Sequence, residues 1–448
     1  MTEQHEDNLR SQTDNKKSEN QGVFYPIYLL ESIIASRIVL EIIIFTRDQN
    51  GGRSMTLHIS KEQARRFLAT YHFTPGTLPE IFQRLGTVQY DPLNPVGRNA
   101  DLVLQARVPG YQVDDWQKAA YTDRIIYDAW DKQACLVPVS DWPLRAHTRE
   151  LFRPYHDQEI LQTDPEAAAT ILATIDQQGP LSSLEFEDRT RIGEVGSWAG
   201  MTRTKRILRS MWVSGILLTH HRRGGRHYYD RPERVIPAQY YNIALETDIE
   251  AYYRWITARR YQAVGLLRPN AEAAVWSACG NSTIRKRVTA QLVEMGILTP
   301  VRIEEKSWIY YMPSNAVHLL NAPLPDPRVI LLGPLDSFLW DRKGVQQLFD
   351  FDYLWEVYKP LEQRRWGYYV LPVFYQDRCI ARLDSRLIGK TWVITRWWWE
   401  NAVTPTTDFL DALRAAIVQF VHYLRADAVQ VEEGVDKLIR ENIYAIPH

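Results

Sequence analysis

Gln89 and Asp91 stand one residue apart in TVQYDPLNPVGRNADLVLQAR, the stretch from Thr87 to Arg107. Successive side chains of a strand point to opposite faces, so this amide and this carboxylate share a face and Tyr90 takes the other. Pro92 disfavours helix at Asp91 and holds it extended. A carboxylate fixed in that way can steady a developing positive charge or accept a proton, and an amide beside it can orient a water. The plainer reading gives both groups structural work. Asp-Pro commonly initiates turns, and Gln89 can be hydrogen-bonded inside the fold. Local pattern alone favours that plainer reading.

The flanking sequence says what must position the pair. Ser60-Lys61-Glu62-Gln63 reads as a capped helix start. Pro75-Gly76 separates it from a second helix that leads into the Gln-x-Asp strand. Farther on, YDAWDKQACLVPVSDWPL reads as an apolar helix ended by Pro138 and Pro143. GPLSSLEFE opens a short helix at Ser182-Ser183, and MTRTKRILRSMWVSG a second from Met201 to Ser214. That helix puts Ile207, Leu208, Met211 and Trp212 on one face and Arg203, Lys205, Arg206 and Arg209 on the other. Gly215 ends it. Two strands then meet at Gly224-Gly225, a good hairpin turn. Helix, helix, hairpin is the order of a winged helix.

The order returns at 270–313. There Ile284, Val288, Leu292 and Met295 share a helix face ended by Gly296, and the hairpin tip Glu304-Glu305-Lys306 is not basic. The expected fold is α+β, with three tandem winged-helix units and a C-terminal antiparallel β-barrel-like domain. Boundaries fall at 55–150, 151–240, 241–322 and 323–448. In the last, Thr407 or Asp408 caps a closing helix, and Trp397-Trp398-Trp399 belongs to the core or the rim. Residues 1–54 differ in character, and Met55, just after Gly51-Gly52, is the expected true start.

Composition narrows the function. The net charge of −1 gives no global pull toward nucleic acid, yet residues 200–231 carry eight Lys or Arg against one acid, Asp230. Arg203, Lys205, Arg206, Arg209, Arg222, Arg223 and Arg226 are therefore candidate phosphate contacts, and Arg98 joins them. A solvated basic face is the alternative. His220, His221 and His227 are expected to touch nucleic acid rather than a metal. The three cysteines, Cys135, Cys279 and Cys379, lie far apart, which speaks against a disulfide framework or zinc and suits the cytoplasm. Glu31, Arg37 and Glu41 interrupt the one long apolar run, so no membrane span is expected. No phosphate-binding, dinucleotide or metalloprotease motif is present.

Together these motifs resemble a known family, the YcaQ-like and AlkZ-like winged-helix DNA glycosylases. QYDPLNPVGRNADLVLQAR matches its Q-Φ-D form. The likeness continues through AWDKQACLVP, GPLSSLEFE, WAGMTRTKRILRSMWVSGIL, LLGPLDSFLWDRKGVQQLFDFDY and RRWGYYVLPVFYQDRCIARLD, roughly 58–440. It implies excision of alkylated purines from double-stranded DNA and the unhooking of interstrand crosslinks. It implies Asp91 and Gln89 as the catalytic pair. Asp91 would stabilise an oxocarbenium-like sugar and activate water, with Gln89 orienting that water. No cofactor, metal or protein partner is implied, and a monofunctional enzyme is expected because base loss needs no lysine. The chain departs from the family where YWAHEA becomes AWDKQA, placing Lys132 and Gln133 in the positions of His and Glu, and where Tyr90 replaces an aliphatic residue. Those departures bear on substrate range. A winged-helix transcription factor and an inactive repair scaffold are the rival classes.

Overall fold

The computed structural model describes residues 56–157, 160, 162–188, 190–192, 201–324, 326–401 and 403–445. The expected start at Met55 and the leader before it lie outside these residues.

Strand β1 (Leu57–Ile59) precedes helix α1 (Lys61–Phe73). Ser60 Oγ accepts the Gln63 N–H at 3.1 Å and the Gln63 amide oxygen accepts the Ser60 N–H at 2.9 Å, the capping box legible in the sequence. Helix α2 (Leu78–Leu85) ends at Gly86 and leads into β2 (Val88–Gln89). Then come α3 (Asn99–Gln105) and α4 (Trp116–Tyr121). The stretch expected to form an apolar helix is instead a hairpin, β3 (Ile126–Trp130) and β4 (Ala134–Pro138), in an antiparallel sheet of order β2-β4-β3. Its strands are buried on both faces, so the apolar run is continuous and hides the strand period.

Helices α5 (Ala146–His156) and α6 (Pro165–Gln178) follow, then the short pair β5 (Arg191–Ile192) and β6 (Met201–Thr202). Helix α7 (Arg203–Val213) buries Ile207, Leu208, Met211 and Trp212 as its pattern predicts. The short helix expected at Ser182-Ser183 is only a turn, in which Glu185 reaches back to the Ser182 N–H at 2.9 Å. Strands β7 (Leu218–Arg223) and β8 (Arg226–Asp230) pair about Gly224-Gly225, both at positive φ. Helices α8 (Ile249–Val264) and α9 (Ser282–Glu294) precede β9 (Leu298–Ile303) and β10 (Ile309–Pro313). Val288 and Leu292 are buried, but Met295 lies past the last turn and is 59% exposed. The start of the described chain returns to this hairpin, with β1 parallel to β9.

The C-terminal part contains β11 (Val329–Leu331), α10 (Arg342–Phe349), β12 (Leu371–Tyr375), β13 (Arg378–Ile388) and β14 (Thr391–Trp399). Helix α11 (Thr407–Leu424), β15 (Ala428–Val431) and α12 (Lys437–Tyr444) complete it. Thr406, not Thr407 or Asp408, caps α11. The expected antiparallel barrel is a curled, half-barrel sheet in the order β11-β12-β13-β14-β15. It stays open because its ends do not meet, and β15 joins in parallel after the α11 crossover. Trp397 is buried, Trp398 is half-buried, and Trp399 is half-buried and packed against the core.

This sheet shares one core with the Gln-x-Asp strand: Val88, Tyr90 and Val96 pack in the same cluster as Leu383, Leu413 and Phe420. Tyr423 on α11 donates its hydroxyl to the Val96 carbonyl at 3.1 Å. Gly97 beside it has φ +90°, and a Cβ there would lie 1.7 Å from that hydroxyl. Gly97→Ala is therefore expected to exceed the usual overpacking cost of about 1–3 kcal/mol. Urea unfolding checks this, and an unchanged midpoint would disprove the clasp.

Candidate active site

Strand β2 is two residues long, and the site is built where it ends. Gln89 pairs with Cys135 on β4, and the Tyr90 N–H adds one more bond, to the Ala134 carbonyl at 2.9 Å. Pro92 has no N–H to continue the ladder. The Asp91 carboxylate turns back and accepts the Leu93 N–H at 2.9 Å. The chain from 91 to 98 is then held from outside. Asn99, fully buried, donates to the Gln89 carbonyl at 2.7 Å and accepts the Leu335 N–H at 2.9 Å. Leu387 on β13 donates to the Pro95 carbonyl at 2.7 Å.

Tyr90 points away from the site, as strand alternation requires. Its ring meets Trp116 edge-on at 5.7 Å and lies under the Arg222 guanidinium at 4.1 Å. Arg222 pairs with Asp128 at 2.6 Å and donates to the Tyr121 hydroxyl at 3.1 Å, which itself donates to Asp128 at 2.8 Å. This closed triangle seats the β7–β8 hairpin against Tyr90, on the opposite side of the strand from Gln89 and Asp91. Arg222, expected as a phosphate contact, is therefore a buried structural cation. On the paired β7–β8 ladder its side chain faces inward to Asp128, while Arg223 and Arg226 stay exposed.

The other face carries Gln89 and Asp91. Gln89 is buried, and its amide oxygen accepts Lys132 Nζ at 3.2 Å. Lys132 lies 5.2 Å from the centre of the Trp340 ring. Asp91 is half-buried, and burial raises its carboxyl above the usual value against the opposing Leu93 N–H. Burial, and next the Asp91 charge, push the Tyr369 phenol well above its usual value. Its hydroxyl has no hydrogen-bond partner among the described residues. Tyr369, Trp340 and Lys132 were not identified as site residues from the sequence. Lys132 alone left a signal there, as a departure from a motif. Among the described residues no cluster of His, Cys, Asp and Glu could hold a metal ion.

A family model described as DNA glycosylase AlkZ-like matches residues 82–423, most of the chain and all of this site. The chain belongs to the AlkZ-like DNA glycosylase family. In fold it is similar to the DNA glycosylase AlkZ of Streptomyces sahachiroi, with a TM-score of 0.58 at 14% identity over 85% of this chain and 100% of that one. Membership makes it a DNA-repair glycosylase acting on DNA.

An AlkZ-like glycosylase must hold a polyanion, and the expected basic residues divide by surroundings. Lys205, Arg209, Arg223 and Arg226 are exposed, and Arg206 is half-buried on the same helix. Arg209 lies over Trp130 and Arg223 over Tyr228. Arg203 is bound to Asp164 at 2.5 Å and Asp188 at 3.5 Å. Arg98 pairs with Asp114 at 2.7 Å, beside the β7–β8 hairpin tip at Gly225. The histidines have local partners. His227 is half-buried, stacks on Tyr229 at 5.3 Å, and burial lowers its pKa to about 3. His220 and His221 lie 2.9 Å apart through their Nδ1 atoms.

Arg222 and Arg226 should thus behave differently. Arg222→Ala leaves Asp128 charged and buried, and is expected to cost about 3–5 kcal/mol of stability. Arg226→Ala should leave the urea midpoint unchanged and lower the slope of log K against log salt by about 0.9 on duplex DNA. Equal midpoints for the two variants would contradict the assignment of Arg222 to the core.

Proposed function

We propose that the chain hydrolyses the N-glycosidic bond of N7-alkylated purines in double-stranded DNA, with Asp91 and Gln89 as the catalytic pair. The observation that carries this is the end of β2. There a half-buried carboxylate accepts the Leu93 N–H, a buried amide oxygen accepts Lys132 Nζ, and the backbone that carries both is tied to Asn99, Ala134 and Leu387. An N7-alkylated purine is cationic and leaves readily, so its departure needs little protonation. The sugar becomes oxocarbenium-like. Asp91 steadies that charge and takes a proton from the attacking water, which Gln89 orients. The same attack would unhook a crosslink joined through N7.

The three helix–helix–hairpin stretches are read as winged units, ending near 150, 240 and 322. Phosphate would be gripped by Arg223, Arg226, Lys205, Arg206 and Arg209, with Arg98 and Arg203 beside them. All three cysteines are free and buried, which suits a reducing compartment such as the cytoplasm. A transcription factor would not require the fixed Gln-x-Asp pair.

Asp91→Asn separates chemistry from turn-making. Asparagine can still accept the Leu93 N–H, since it serves such turns well. It cannot stabilise the cation or accept the proton. Single-turnover release of N7-methylguanine is expected to fall by about 10²–10³ with DNA affinity kept. Gln89→Ala should cost less. Parent-like release by Asp91→Asn would leave Asp91 a turn residue only.

A further inference from the structure

We propose that Lys132 is a nucleophile toward the aldehyde carbon of abasic deoxyribose, so that this chain also cuts the DNA strand after the base has left. The inference rests on reading Gln89 and Asp91 as the site of base release, and takes the product of that site as its substrate. The expectation of a monofunctional enzyme followed from base loss needing no lysine. That holds for the first step and leaves the second open.

The placement of Lys132 is specific. It sits in the three-residue turn between β3 and β4, with Nζ 3.2 Å from the Gln89 amide oxygen. If Gln89 orients water at C1′, an amine in hydrogen-bond contact with Gln89 is within reach of C1′ itself. The turn is rigid. The Asp131 N–H donates to the Gln133 carbonyl at 2.8 Å, and the Ser277 hydroxyl to the Asp131 carbonyl at 3.2 Å. The Asp131 carboxylate is locked by Arg260 at 2.5 Å and Arg145 at 3.4 Å, all three side chains buried. Asp131 spends its charge on those arginines. Lys132 is left with an amide oxygen and the Trp340 face, and no carboxylate pairs with it among the described residues.

An ammonium in such surroundings loses its proton easily. Burial brings the Lys132 pKa down to about 8, with Arg260 and Arg342 adding to the shift and Cys135 and Asp131 opposing it. A purely structural lysine would more commonly be paired with a carboxylate or left in solvent.

The reaction balances without a cofactor. The neutral amine adds to the C1′ aldehyde of the ring-opened sugar, forming a C–N bond. The C1′ oxygen leaves as water, giving an imine. A proton leaves C2′ to the carboxylate of Asp91, two residues from Gln89. The electron pair moves toward the imine, and the 3′ C–O bond breaks with the phosphate carrying its pair away. Water then hydrolyses the imine and restores Lys132.

The test uses the full chain and a duplex with one preformed abasic site, so base release is not required. Sodium borohydride delivers hydride to the imine carbon and fixes the adduct as a secondary amine. The expected result is a covalent protein–DNA species whose modified peptide contains Lys132. Without borohydride, the strand should be nicked 3′ to the abasic site. Lys132→Arg should reduce adduct and nick to background, whereas Lys118→Arg, an exposed lysine paired with Asp123 at 2.6 Å, should retain both. No adduct, an adduct on another amine, or parent-like trapping by folded Lys132→Arg would overturn the proposal. Peptide mapping on the unmodified chain decides the matter even if Lys132→Arg fails to fold. Release of N7-methylguanine is assayed separately. Adduct without base release would uphold Lys132 and refute the alkylpurine reading, and base release without adduct would do the reverse.

Discussion

The buried pair of Asp128 and Arg222 is the interaction on which the site depends. Taking two charges out of water is costly, and the cost is offset only when geometry is good and the remaining polar atoms are satisfied. Here the Tyr121 hydroxyl completes the triangle and the Tyr90 ring covers the guanidinium. The pair joins β3 to β7, so the hairpin that should face DNA is fixed to the sheet that carries β2. It also accounts for Tyr90. An aromatic ring between Gln89 and Asp91 gives the arginine a face to lie on, which an aliphatic side chain would not.

A strand of two residues cannot hold Gln89 and Asp91 in place alone. The rest of its support comes from far along the sequence: Leu335 through Asn99, Leu387 through Pro95, and Tyr423 through Val96. The C-terminal sheet and α11 are therefore part of the site's scaffold and share its core. Their curled sheet lends Leu371, Val373, Leu383 and Ile394 to that shared core, and Ile330, Phe374 and Cys379 to a second one.

Much of this was legible in the sequence where the cue was local. The Ser60 box, the Gly224-Gly225 turn and the apolar face of α7 each follow from a few adjacent residues, and each is present. Strand alternation placed Tyr90 opposite the pair. Three of the failures share one physical origin, contact between residues distant in sequence. The β3–β4 hairpin read as helix because both its faces are covered. Arg222 read as a surface cation because Asp128 lies 94 residues away. Lys132 stood out only as a motif departure, since its neighbours Gln89 and Trp340 are set by folding.

The central claim is that the sugar of the damaged nucleotide is processed at the end of β2. The most direct measurement is a crystal structure with duplex DNA carrying a stable abasic-site analogue. The account predicts the extrahelical sugar against Asp91, with Gln89 and Lys132 beside its C1′ position and the β7–β8 hairpin on the flanking phosphates. DNA bound on another face, or the sugar seated away from Asp91 with Lys132 still folded against Gln89, would contradict it.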